Sequence, residues 1–223
     1  MARRRILKPI LANVKSACDL ACGSGTTAIA LSRRGIQVYA VDLSPTMCRL
    51  ARRKTAGLQV KVIRGDMRTF KLPEPVDLVT CECDAVNHIA RKSDLRRVAK
   101  AVARALRPGG HFYFDVNNAL GFATYWTGTH WTEKPGIVMV MNNGHNRTRA
   151  WSEVNWFIQD GLGWRRFQER VEEVCWPAQE IEETLHAAGF DQIQHWDATP
   201  FFLKTDSRVT PGCRSIYLAR KAS

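Results

Sequence analysis

DLACGSGT, residues 19–26, joins an apolar run, SACDLAC, to a helical pattern, TTAIALSRRG, that closes at Gly35. Gly23, Gly25 and Ala28 fit G-x-G-x-x-A, a permitted form of the dinucleotide fingerprint. A glycine-rich turn between strand and helix lets a ligand approach the backbone, because no Cβ intrudes and the helix N-terminus presents free N–H groups. Spacing alone leaves the ligand open. Asp19, at the end of the strand, says more: a carboxylate there repels a phosphate and suits an ammonium group. The turn therefore points to a cationic ligand.

Outward from this turn, short apolar runs alternate with helical patterns, the rhythm of βα units on a parallel sheet. IQVYAVDLS reads as a second strand, after which Ser44 caps a helix with Pro45 in its first turn. LQVKVIRGDM and PVDLVTCEC are the third and fourth strands. A helix from near Ser93 through DLRRVAKAVARAL stops at an RPGG turn, and HFYFDVN is the fifth strand. DQIQHWDA and RSIYLARK close the sheet as a hairpin behind a helix, PAQEIEETLHAAGF. The expected fold is α/β: a doubly wound, mostly parallel, seven-stranded sheet of the Rossmann-like kind.

After residue 118 the texture changes. GIVMVMNN, TRAWSEVNWFIQD and GWRRFQERVEEVCW are β-type runs joined by NNGHN and DGLG, both turn signals. Met139 and Met141 alternate on one strand face and are expected to pack inside this unit. The predicted organisation is a ligand-binding core over 1–118 and 177–223, with an antiparallel β insertion over 119–176 acting as a lid.

Two further acids join Asp19 at strand ends. Asp42 lies 17 positions after Gly25, near the spacing of a carboxylate that accepts ribose hydroxyls, with a favourable helix-dipole contact as the alternative. Leu43 beside it can cover one face of a base. Asp66, in RGDM, can accept a base amino group while Met67 offers its backbone N–H. Three acids at the C-terminal ends of three consecutive strands converge on the crevice where open α/β sheets bind ligands.

DLACGSGT, VDLSPTMCRLAR, GDMRTF, DLVTCECDAVNHI and ALRPGGHFYFDVN, in this order over about residues 17–118, resemble the successive motifs of class I S-adenosylmethionine-dependent methyltransferases. CDAVNHI and the later hairpin look most like a small-molecule branch that includes bacterial nucleotide-sugar N-methyltransferases. The resemblance implies that Ala21, Cys22, Gly23 and Gly25 line the methionine part of the cofactor. It further implies that Asp19 holds the amino group, directly or through water, Asp42 the ribose, and Leu43 and Met47 the adenine surround. Gly65, Asp66 and Met67 would bind the adenine edge, and Cys81, Glu82 and Cys83 would form the wall beside the sulfonium. Ala21 stands where the family commonly has its first glycine, a small change if φ is negative there. Relatives usually carry a helical lid before the first motif, whereas about 18 residues precede it here.

Methyl transfer of this kind is an SN2 displacement that rests on positioning and desolvation, with a base needed only for a protonated nucleophile. His88 is the candidate base. Asp84 is placed to orient an amine acceptor or to cap the turn. Asn87, Asp115, Asn117, Trp126 and Trp156 are the remaining acceptor-pocket candidates, the tryptophans competing with a packing role. The expected reaction is transfer from S-adenosylmethionine to N or O of a small-molecule acceptor, leaving S-adenosylhomocysteine. A nucleic-acid methyltransferase and a cofactor-binding protein without turnover are the alternatives.

The bulk properties of the 223 residues agree. The net charge of +12 would suit nucleic acid, but the basic residues are scattered over helical patterns, and no basic tract interleaved with aromatics appears. After DLVT, CECDAVNH also differs from the Asn/Asp-Pro-Pro-aromatic segment typical of base-amino methyltransferases. Seven cysteines have no framework spacing, and C-x-C without a second pair is a weak zinc signal, so no metal is expected. With no apolar run of about 18 residues and no signal-peptide pattern, a cytoplasmic protein without a membrane span is expected. A homodimer is compatible with the sequence.

Overall fold

The computed structural model describes residues 2–198 and 212–223. The chain opens with two short helices, α1 (Ala2–Ile6) and α2 (Lys8–Leu11), and then alternates β1 (Ser16–Leu20), α3 (Thr26–Ser32), β2 (Gln37–Asp42), α4 (Pro45–Lys54) and β3 (Val60–Arg64). β4 (Val76–Cys81), a 3₁₀ turn at Ala85–His88, α5 (Lys92–Ala105) and β5 (Leu106–Asn117) follow. α6 (Ala119–Tyr125) leads into β6 (Gly128–Lys134), β7 (Ile137–His145), β8 (Arg149–Asp160) and β9 (Gly163–Val174). α7 (Ala178–His186), β10 (Phe190–Asp197) and β11 (Arg214–Lys221) complete the described chain.

The central sheet has seven strands in the order β10-β11-β5-β4-β1-β2-β3, with β11 antiparallel to both its neighbours, β10 and β5, and the other pairs parallel. β1 is buried throughout, as a central parallel strand covered on both faces must be. On one face Phe112, Phe114, Val79 and Tyr217 meet Leu95, Val98 and Val102 of α5 and Ile181 and Leu185 of α7. On the other, Val38, Leu78 and Tyr113 pack with Leu7, Ala28 and Leu31. α5 earns its place through an apolar stripe spaced by three and four residues. α4 starts where the sequence places it: the Ser44 hydroxyl accepts the Met47 N–H at 3.3 Å, and Pro45 occupies the first turn.

Four local expectations are corrected. β5 begins at Leu106, not at His111, because the RPGG segment stays in the ladder through a register shift opposite Val76–Leu78, with Gly109 at φ +73°. α6 is a helix inside a stretch that reads as β-rich, started by the Asn118 side chain accepting the Gly121 N–H at 3.0 Å. β6 was not expected as a strand, and all its residues are exposed. NNGHN is not the turn it resembles: Asn142–His145 are in β7, and the reversal uses Asn146, whose side chain accepts the N–H groups of Thr148 and Arg149.

The insertion is thus a separate antiparallel sheet, β6-β7-β8-β9. Ala150, Ser152, Val154 and Glu173 are buried, and pairing of Ala150 with Glu173 places them on one face. Met139 and Met141, expected inside this unit, are only half-buried. Gly144 is required by packing: a Cβ there would lie 2.6 Å from the ring of Trp151, its cross-strand partner. Gly144→Ala is expected to lower unfolding stability by about 1–3 kcal/mol, measurable by denaturant titration.

Candidate functional site

The turn after β1 is built on left-handed backbone: Ala21 at φ +54°, Gly23 at +52° and Gly25 at +83°. Glycine adopts this region freely and alanine does not. The negative φ expected at Ala21 is therefore corrected; the residue carries local strain. The carboxylate of Asp42 fixes the turn from the next strand, accepting the Gly23 N–H on one oxygen and the Ser44 N–H on the other, both at 2.8 Å.

Asp19 sits behind this turn. It is 3% exposed, and its oxygens accept the Ala28 N–H at 2.9 Å and the Thr80 hydroxyl at 3.1 Å. Burial, reinforced by the negative charge of Glu82, pushes its pKa up to about 7. The carboxylate thus ties the first turn of α3 to β4, beneath the turn.

In front of the turn lies a cavity of about 310 Å³. Of the expected residues, Ala21, Asp42, Leu43, Gly65, Asp66, Met67 and His88 line it. Leu43 is 61% exposed on its rim. A side chain at Gly65 would crowd its neighbours, since a Cβ would lie 3.1 Å from Val41. Arg68 and Asp94 also line the cavity and were missed. Arg68 grips Asp66 through both carboxylate oxygens and reaches Asp94 at 3.3 Å, which holds the Asp66 carboxyl below the usual carboxylate range. Cys22, Gly23, Gly25, Met47, Cys81, Glu82 and Cys83 are not among its lining residues. Glu82 instead pairs with Arg3 of α1, whose guanidinium also donates to Thr27 at the start of α3.

A second group of side chains gathers beyond β4, where β5, β9 and β11 meet. Cys83 and Asp84 both have φ near +60°, and the buried Asp115 carboxylate accepts their two N–H groups at 2.9 and 3.1 Å. Arg214 pairs with Asp115 at 2.5 Å and faces Asp84 at 3.2 Å. Asp115 is thus a staple and not an open acceptor contact. Asp84 makes no capping bond to the 3₁₀ turn it precedes. Its carboxylate instead accepts from the Asn117 side chain, which also donates to Glu173 of β9. Asn87, expected to touch the acceptor, is fully buried and binds the carbonyls of Asn117 and Val174.

His88 is held by its Nδ1, 3.0 Å from the Glu172 carbonyl. A carbonyl only accepts, so Nδ1 donates to it, and in the neutral ring Nε2 is the nitrogen left to accept a proton. Trp126 packs edge-on against Phe122, and Trp156 donates to Glu169 at 2.9 Å. Neither lines the cavity. Glu173 and Arg214 were missed because no short motif flags them: they lie far from Asp84 in sequence, and only the insertion and β11 bring them back.

Residues 17–110 match a family model described as a methyltransferase domain. The methyltransferase-named protein YqeM of Bacillus subtilis (strain 168) is 29% identical over 77% of this chain and 72% of its own length. A dTDP-4-amino-2,3,4,6-tetradeoxy-D-glucose N,N-dimethyltransferase of Saccharopolyspora spinosa is 33% identical over 48% of this chain, and only 42% of that relative is spanned. An S-adenosylmethionine-dependent methyltransferase from Clostridium acetobutylicum ATCC 824 has a TM-score of 0.82 at 25% identity, covering 98% of this chain and 89% of that one. This chain is an S-adenosylmethionine-dependent methyltransferase. The methyltransferase also shares its fold with the sugar N-methyltransferase KedS8 from Streptoalloteichus sp ATCC 53650, at 24% identity and a TM-score of 0.81 over 99% of this chain and 85% of that one.

The cavity suits this cofactor on its own chemistry. Asp42 offers acceptor oxygens, Leu43, Met67 and Ile89 offer apolar surface, and Gly65 leaves its backbone open. The bound cofactor supplies an electrophilic methyl on a sulfonium cation.

Two outcomes follow for this methyltransferase. Asp42→Ala is expected to weaken binding of S-adenosylmethionine and its demethylated product alike, by about 1–3 kcal/mol in calorimetry. Asp19 has its folded pKa raised from 3.8 to about 7, so its contribution to stability is present in acid and lost as pH rises through about 7. Thermal unfolding between pH 4 and 8 should therefore show a decline that Asp19→Asn reduces.

Proposed function

We propose that this enzyme methylates nitrogen or oxygen of a small-molecule acceptor, with the β insertion serving as the lid of the acceptor site. The observation that carries the reading is the attachment of β9 to the segment after β4. Asn87 donates to the Val174 carbonyl and His88 meets the Glu172 carbonyl, so the last turns of β9 sit beside the wall of the cofactor cavity. A roof in this place suits an acceptor of limited size better than a nucleic-acid duplex. The relative named as an amino-sugar dimethyltransferase supports the same class.

The residues have separate tasks. Asp42, Gly65, Asp66 and Met67 hold the adenosine end of the cofactor. Asp19 keeps the turn after β1 in shape and biases its field toward a cation. His88 accepts the acceptor's proton at Nε2 while the Glu172 carbonyl fixes the ring. The lid excludes water and aligns the nucleophile about 3 Å from the methyl.

The test is calorimetry with S-adenosylmethionine and with NAD, followed by methyl-labelled S-adenosylmethionine offered with a dTDP-linked amino sugar, other small amines and alcohols, and RNA. Tight binding of S-adenosylmethionine and label in a small acceptor is the expected result. Label in RNA alone, or binding without transfer to any acceptor, would overturn the reading. His88→Ala is expected to lower kcat by about 10²-fold while leaving the dissociation constant for S-adenosylmethionine within a few-fold.

A further inference from the structure

The group beyond β4 has an unbalanced charge. Three carboxylates, Asp84, Asp115 and Glu173, face one guanidinium, that of Arg214. Asp115 spends its oxygens on two backbone N–H groups and on Arg214. That leaves Asp84 and Glu173 as a pair, tied together by the two hydrogens of one amide: Asn117 Nδ2 lies 2.7 Å from Asp84 and 2.9 Å from Glu173. Glu173 is the inner member, 3% exposed, and Asp84 is the outer one, with its side chain 26% exposed.

Two buried polar groups beside the pair lack a hydrogen bond among the described residues. Arg214 Nη2 reaches Asp84 only as an ion pair. Ser152, 5% exposed, stands on the same face of the insertion sheet, diagonal to Glu173 across the β8–β9 ladder, and its hydroxyl has no partner among the described residues. Buried polar atoms are rarely left unsatisfied unless a ligand or water completes them. Surplus negative charge beside the unfilled Ser152 hydroxyl, whose oxygen can accept an N–H, describes a place for a polar cation.

We propose that Asp84 seats the protonated amine of the acceptor and that Glu173, acting through Asn117, is the positioning residue that sets the charge of this seat, so that the transfer is an N-methylation. This rests on the small-molecule function proposed above and narrows it to amines. Burial and the neighbouring Asp84 charge push the Glu173 carboxyl above the usual carboxylate range, against the opposing pull of Asn117 and Arg214. With Glu173 protonated, the Asp84–Glu173 pair carries one negative charge, matched to one ammonium. Cys83, Asp115 and Arg214 also face the pair; His88 adjoins it through Glu172, and His145 lies on the same sheet face across Ala150.

The protons and electrons balance. The ammonium seated on Asp84 gives one proton to His88 Nε2, and the freed nitrogen lone pair forms the N–C bond to the methyl. The S–C bond breaks with its electron pair remaining on sulfur, and the product leaves as the N-methylammonium cation. The proton on His88 then passes to solvent.

The test uses the full chain loaded with S-adenosylhomocysteine, and two matched acceptors: a dTDP-linked amino sugar and its counterpart with hydroxyl in place of the amine. Carbon-13 NMR titration of glutamate carboxyls should show one that titrates far above the others and disappears in Glu173→Gln. In turnover, the amine should be preferred by at least tenfold in kcat/KM, and Asp84→Asn should raise KM for the amine by at least tenfold. Glu173→Gln, which copies the protonated acid, should lose the alkaline limb of the wild-type pH profile. Circular dichroism establishes that each variant is folded. Ordinary titration of every glutamate, or equal use of amine and alcohol unchanged by Asp84→Asn, would overturn this inference and leave the function standing. Absence of transfer to both acceptors and to the wider panel overturns the function, and this inference with it.

Discussion

A buried carboxylate must find donors, and that requirement shapes every loop at the C-terminal edge of the sheet. Asp19 takes the Ala28 N–H, Asp42 those of Gly23 and Ser44, Asp66 that of Arg68, and Asp115 those of Cys83 and Asp84. Four strand ends thus carry four acids, each ordering the backbone that leaves the sheet there or beside it. The cofactor cavity is what remains between loops held in this way. Its electrostatic character, negative and partly desolvated, is a by-product of the same stapling and suits a cationic ligand.

The cofactor half of the site was legible because its acids are local to strand ends and the strands announce themselves by burial. Asp42 and Asp66 could be placed from spacing alone. The φ of Ala21 could not, because it is imposed by the tie from Gly23 to Asp42 on a different strand. The acceptor half was legible only in part. Asp84 and Asn117 stood out as polar residues after strands, but their partner Glu173 is one of several acids in QERVEEV, and only the register of β9 selects it for burial. β6 stayed hidden because GTHWTEK lies fully in solvent and needs no apolar alternation.

The likeness of Asp19 and Glu173 is chemical. Both are acids in which burial outweighs the hydrogen bonds that favour ionisation. Asp19 lies behind the turn after β1, and Glu173 is the inner member of the pair proposed to seat the acceptor. Each can trade a proton for a cation, so that two positive partners entering one site need not bring the protein to a large excess of charge. Arg3 works in the opposite direction by neutralising Glu82 between them.

The clasp of Asn87 and His88 on the carbonyls of β9 uses backbone atoms of the insertion, whatever side chains that strand carries. Attachment of the roof is therefore indifferent to most of the sequence of the roof. Substitutions can accumulate along β8 and β9 without loosening the joint, while the strands that hold the cofactor stay unaltered. One scaffold can in this way be refitted to a succession of acceptors, with drift concentrated in a single detachable sheet.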